Sequence, residues 1–152
     1  MEKRFRDLQL RQMDALLAKW RGARLPARPQ VGWSRAIREA LGMSAAAFAR
    51  RLGMTHAGVR KLEQAEADDK ITLASLRKLA QALDCELQYA FVPRTSLEQR
   101  LHDRALEVAR DRLRPVSHSM SLEDQTVKGS LSKAQLELLA KEILDGPRRE
   151  LW

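Results

Sequence analysis

Apolar residues recur at helical spacing along most of the chain, and the breaks in that rhythm divide it into elements. Phe5, Leu8, Met13, Leu16, Leu17 and Trp20 alternate with Arg and Asp and predict a helix from about Lys3 to Arg21. Gly22, Pro26 and Pro29 end it and make 22–32 an extended basic connector. Trp33, Ile37 and Leu41 form the inward row of a second helix, closed by Gly42. Phe48, Ala49 and Leu52 belong to a third, and Val59 and Leu62 to a fourth that runs from His56 to about Glu66. Leu73, Leu76, Leu79, Ala80 and Leu83 mark a fifth. The rhythm then changes to period two: Leu87, Tyr89 and Phe91 alternate with Glu86 and Gln88, which predicts a strand ended by Pro93. Beyond it, Leu97, Leu101, Ala105, Val108 and Ala109 predict a helix to about Leu113, stopped by Pro115. Ser121 with Asp124 and Ser132 with Gln135 open two more, and the last carries Leu136, Leu139, Ile143 and Leu144 to Gly146-Pro147.

Hydroxyl residues stand where these helices begin. Ser44, Thr55 and Thr72 are placed to accept from free amides of a first turn, and Ser96 with Gln99 makes a capping box. Only Gly53, Met54 and Thr55 separate the third helix from the fourth, the short connection that lets the second helix of a pair project from its domain. With Val59 and Leu62 turned inward, His56, Ala57, Arg60, Lys61 and Gln64 form an outward stripe. A B-form major groove admits one α-helix. Small residues such as Ala57 and Gly58 let its backbone come close, while Arg60 and Lys61 reach guanine acceptors or phosphates. Ser44, Thr55, His56, Ala57, Gly58, Arg60, Lys61 and Gln64 are therefore the expected DNA-binding residues. The lone strand has no convincing partner within the chain, so pairing of Leu87, Tyr89 and Phe91 with their copies in a homodimer is expected. Such a dimer suits a palindromic double-stranded operator with half-sites roughly 34 Å apart. Pairing with an internal segment such as 70–72 is the alternative.

Charge adds to this picture. The chain carries a net charge of +8, and its first 30 residues hold eight Lys/Arg against three acids. Clustered cations reward a phosphate backbone through counterion release. Arg24 and Arg28 in the connector form a possible DNA arm, or simply belong to a linker. Glu66, Asp68 and Asp69 lack the spacing of a calcium loop and read as a solvated turn. Cys85, the only cysteine, excludes an intrachain disulfide and reads as a small core residue. His56, His102 and His118 offer no paired metal ligands, and no phosphate-cradling glycine loop is present, so no catalytic residue, metal or cofactor is expected. No apolar run approaches the roughly 20 residues of a membrane span, and the opening lacks a signal peptide's apolar region, so a cytoplasmic site without membrane contact is expected.

Phe48-Ala49, Gly53, Thr55, Val59, Leu62-Glu63 and the helix bearing Leu73, Leu76, Leu79, Ala80 and Leu83 resemble the lambda-repressor and Cro-like (XRE-type) helix-turn-helix family over about residues 33 to 87. That resemblance implies base contacts by His56, Ala57 and Lys61, backbone contacts by Thr55 and Arg60, and a structural role for Glu63. Ala45 departs from the family, which often has a phosphate-contacting Gln there. The implied fold is all-α: an N-terminal helix and basic linker over 1–30, a lambda-repressor-like helix-turn-helix domain over 31–92 ending in one short dimerising β-strand, and a C-terminal helical extension over 93–152.

Across the whole chain, the segments LQLRQMDALL, PRPQVGWSRAIREALGMS, ITLASLRKLAQALDCELQYAFVPR, SMSLEDQ and GPRRELW resemble the mobile mystery protein A family. What this implies is the antitoxin of a toxin-antitoxin pair that represses its own operon and binds a Fic/Doc-domain partner, mobile mystery protein B. A stand-alone dimeric repressor is the alternative. Ser119 and Glu123 match the first part of a Fic-inhibitory motif, which implies a toxin-inhibitory role, whereas Asp124 departs from its final position.

Overall fold

A computed structural model describes residues 2–120 and 128–152, with only the backbone course for 115–120 and 128–131. It contains α1 (Lys3–Ala23), α2 (Trp33–Ala40), α3 (Ala45–Leu52), α4 (His56–Ala67), α5 (Leu73–Ala82), α6 (Leu97–Met120), α7 (Lys128–Asp145) and a closing 3-10 turn, Arg148–Leu151. The helices fall into two compact units: one comprises Leu25–Ala90, the other Phe91–Trp152 together with the segment up to Arg24. None of the described helices is long and apolar enough to cross a membrane.

In the unit Leu25–Ala90, each helix start reflects a local hydrogen bond. Ser44 Oγ accepts from the Ala47 amide at 3.1 Å, Thr55 Oγ1 from Gly58 at 3.0 Å and Thr72 Oγ1 from Ser75 at 3.1 Å, all third-position amides left free by helix geometry. Gly53 closes α3 with φ of 65°, a conformation that costs glycine least. The core is Phe48, Ala49, Val59, Leu79 and Leu83, with Ile37, Leu52 and Leu62 packed against it. Thus α3, α4 and α5 each contribute one apolar stripe.

Helix α2 departs from the expected inward row. Trp33 and Leu41 are exposed, and the residues α2 buries are Ser34 and Arg38. The reason is that two carboxylates of α4, Glu63 and Glu66, meet this face and satisfy it with ionic and polar bonds. Glu66 consequently does not belong to a solvated turn. Its carboxylate accepts from the Trp33 amide at 2.6 Å and the Ser34 amide at 3.2 Å, and also from Ser34 Oγ, so one residue of α4 caps the start of α2.

The expected strand is absent among the described residues. Residues 85–93 form neither a helix nor a β-ladder, and 70–72 does not pair with them. A strand exists only where a second backbone meets its amides and carbonyls, and within one chain none does. Leu87 is half-buried, Tyr89 is largely exposed with the Arg77 guanidinium 5.9 Å from its ring centre, and Phe91 is 92% exposed. Cys85 is likewise exposed and not a core residue, because α5 ends at Ala82 and the chain turns outward through Asp84, whose φ is 56°.

In the other unit, α6 and α7 pack through Ala105, Ala109, Ala140, Ile143 and the buried Leu151. Alanines at positions 105 and 109, one turn apart, let the two backbones approach closely. Ser96 Oγ accepts from the Gln99 amide at 3.1 Å, and Asp14 of α1 adds a second cap, accepting from the Leu97 amide at 2.6 Å and the Glu98 amide at 3.1 Å. That cap, together with Asp7 paired to Arg148, explains why α1 joins this unit although the sequence leaves it as a leading segment. Phe5, Leu8 and Leu16 of its apolar stripe remain more than half exposed. Pro115 does not stop α6, whose backbone stays helical to Met120. Proline removes one N–H but its φ suits a helix, so a long helix with a packed partner tolerates it. Trp152 lies against Arg100 and Arg104, 5.8 and 5.9 Å from its ring centre, so the C-terminus folds back onto α6.

Candidate nucleic-acid interface

The α3–α4 pair presents the expected outward stripe. On α4, Val59, Glu63 and Glu66 are buried, whereas His56, Ala57, Arg60, Lys61 and Gln64 are exposed. The helical period explains the division. Val59, Glu63 and Glu66 lie three and four residues apart and share a face turned toward the body. Ser44 and Thr55 are exposed at the starts of α3 and α4, where both hydroxyls are occupied as caps. Gln64 donates to Asp68 at 2.9 Å along the outer surface of α4.

Gly58 has a structural role besides allowing close approach. A Cβ there would lie 3.1 Å from Thr55 Oγ1, the atom that caps α4. Its lower helix propensity, costing roughly 1 kcal/mol relative to alanine, is thus offset by room for the cap.

What holds the stripe in place is a buried ion pair that periodicity missed. Arg38 Nε donates to Glu63 Oε1 at 2.6 Å and Nη2 to Oε2 at 3.1 Å, while Nη1 donates to the Met43 carbonyl at 2.9 Å. Both side chains are about nine-tenths covered. The hydrogen bond to Glu63 raises the pKa of Arg38 above its already high ordinary value, against the lowering effect of burial. This fork fastens α4 to α2 and to the turn before α3. The legible signal was the opposite charge at positions 38 and 63, which hydrophobic patterning does not weigh.

The two candidate arm residues differ in their setting. Arg28 donates to the Ala67 carbonyl at 3.0 Å and to Asp69 at 2.8 Å, tying the connector to the end of α4. Arg24 is exposed, with φ of 44°, at the end of α1. Ser119 lies within the helical backbone of α6, and Glu123 lies outside the described residues. Among the described residues no cluster of His, Cys, Asp or Glu is arranged to hold a metal. His102 faces Glu137 of α7 at 3.1 Å, a surface pair.

Residues 35–89 match the helix-turn-helix family model, so this segment is a helix-turn-helix domain of XRE type. The match covers the whole α3–α4 unit and supports a DNA-binding regulator; the family is regulatory and not one of enzymes. No curated protein and no solved structure matches the chain significantly.

Proposed function

We propose that this chain is a sequence-specific DNA-binding transcriptional regulator that lays α4 in a major groove. The observation that carries the reading is the exposed row His56, Ala57, Arg60, Lys61 and Gln64 on a helix whose opposite face is locked by Val59, Glu63 and Glu66. Side chains held on a rigid support lose little freedom on meeting base edges, and Arg and Lys supply the donors that guanine accepts. Duplexes selected from a random library provide the test. Arg60→Ala with Lys61→Ala should weaken specific binding by about 1 to 3 kcal/mol for each side chain that reads a base edge. Unchanged affinity for the selected duplex rejects the assigned face.

We further propose a homodimer joined through Leu87, Tyr89 and Phe91, acting as the antitoxin of a Fic-domain partner and repressing its own operon. The exposed Tyr89 and Phe91 on a segment without a ladder favour the dimer, because pairing about a two-fold axis satisfies that backbone. The partner, and the toxin-inhibitory role of Ser119 and Glu123, rest on the sequence resemblance alone. Sedimentation velocity addresses both parts: Tyr89→Pro should convert dimer to monomer, and a Fic-type product of the neighbouring gene should co-sediment with the wild-type chain. A dimer surviving Tyr89→Pro rejects the strand contact. A Fic-type product that sediments alone leaves the stand-alone repressor as the reading.

A further inference from the structure

Two clefts flank α4, and their charges differ. The cleft on the α2 side is lined by Arg35, Arg38 and Arg60 together with Glu39 and Glu63, so two carboxylates offset most of its positive charge. Arg35 in fact holds the Glu39 carboxyl below its ordinary pKa through a 2.7 Å bond. On the other side, α3, α4 and α5 enclose a cleft whose charged lining residues are Arg51, Lys61 and Lys78, with no carboxylate among them. All three are exposed, and none pairs with an acid among the described residues. Arg51 Nε donates to the Ala82 carbonyl at 2.9 Å, which fixes its guanidinium on the wall formed with α5. Leu52, Met54 and Leu62, with Gly53, Gly58, Ala65 and Ala82, make up its apolar floor.

Three cations with no carboxylate among them give the cleft a positive potential, which concentrates anions there. A helix about 10 Å across nearly fills a major groove about 12 Å wide, so a phosphate backbone runs along each of its sides. We propose that this cleft seats a backbone phosphate of the DNA strand passing the α3/α5 side of α4, through Arg51, Lys61 and Lys78. The seat rests on the DNA-binding reading and adds to it two residues, Arg51 and Lys78, that lie off the recognition helix. Contacts of this kind set register and affinity without reading sequence. The unequal clefts imply that one strand carries more of this load than the other.

Salt titration of binding to a duplex of about 30 base pairs isolates the seat, since each phosphate contact contributes about 0.9 to the slope of log affinity against log salt. Lys78 is the residue to vary, because among the described residues no hydrogen bond or ion pair holds it in the fold. Lys78→Ala should lower the slope by about 0.9 per bound protomer, which is roughly a 3- to 4-fold smaller loss of affinity between 50 and 200 mM salt. The change should be the same on a selected and on a scrambled duplex, and Lys78→Arg should restore it. Lys133→Ala removes the same charge from an exposed position in the other unit and should leave the slope unchanged. A wild-type slope for Lys78→Ala, or an equal drop for Lys133→Ala, overturns the seat, while Arg60, which lies outside it, still reports on the recognition helix. A wild-type chain that binds neither duplex overturns the DNA-binding reading itself.

Discussion

Glu63→Ala should destabilise the unit Leu25–Ala90 by about 3 to 5 kcal/mol, the cost typical of breaking a buried ion pair by removing one partner. The variant leaves the Arg38 guanidinium in a site where only about a tenth of its side chain meets solvent, with the Met43 carbonyl and, at 3.9 Å, the half-exposed Glu39 carboxylate as its remaining partners. The penalty is that of a covered charge that has lost its buried counterion, and it is comparable with the whole net stability of a domain this small. It does not measure the worth of the pair. Replacing both residues, Arg38→Met with Glu63→Leu, should recover most of the loss because the desolvated charges disappear together. Urea denaturation followed by circular dichroism distinguishes the cases, and a loss below about 1 kcal/mol for Glu63→Ala contradicts the argument.

The pH dependence of this contribution has a definite sign. Arg38 is a base whose folded pKa is raised, so its stabilisation is fully present below the unfolded guanidinium value and is lost only as pH rises through the still higher folded value. The Arg38 contribution is therefore constant across neutral pH. A helix fastened by arginine, as α4 is, keeps its seat where a histidine partner would titrate.

The second large effect belongs to Gly32→Ala, with an expected loss of roughly 2 to 4 kcal/mol. Gly32 precedes α2 with φ of 85°, where any Cβ is strained. The added carbon would also stand 2.8 Å from Glu66 Cδ, displacing the carboxylate that caps the Trp33 and Ser34 amides. Backbone strain and loss of the cap act in the same direction. In a thermal melt the shift should be about 4 to 8 °C for each kcal/mol lost. Glu66→Gln provides the comparison, since it keeps the shape but reduces acceptor strength and should cost less. A melting temperature for Gly32→Ala within about two degrees of the wild type contradicts the clash with Glu66. Glu63→Ala and Gly32→Ala both loosen the contact between α2 and α4, and each should also weaken DNA binding, because Glu63 and Glu66 position the inner face of α4.

The outward face of α4 was legible because it depends on nearby residues. Thr55, Gly53 and the three- and four-residue spacing of Val59, Leu62 and Glu63 lie within one helix and its turn, so their geometry follows from capping, φ preference and period. The same local rules placed the caps at Ser44, Thr72 and Ser96. They misplaced Trp33 and Leu41, because which face of a short helix turns inward depends on what waits there. Here acids 25 and 32 residues distant from Arg38 and Ser34 made the polar face the buried one. Alternation likewise suggested a strand at Leu87, Tyr89 and Phe91, although a ladder requires a second backbone.

By itself, then, the sequence determined the helices of the unit Leu25–Ala90, the caps at Ser44, Thr55, Thr72 and Ser96 and the outward stripe on α4, since these rest on interactions within a few residues; it did not place the start of α7, which lies at Lys128 and not at Ser132. Tertiary structure alone decided that Arg38 and Glu63 clamp that helix, that Glu66 caps α2, that Asp14 brings α1 to α6, and that Arg51 and Lys78 share a cleft with Lys61. Each of these joins side chains distant along the chain, and the energy of a buried charge depends on the neighbours that folding brings to it.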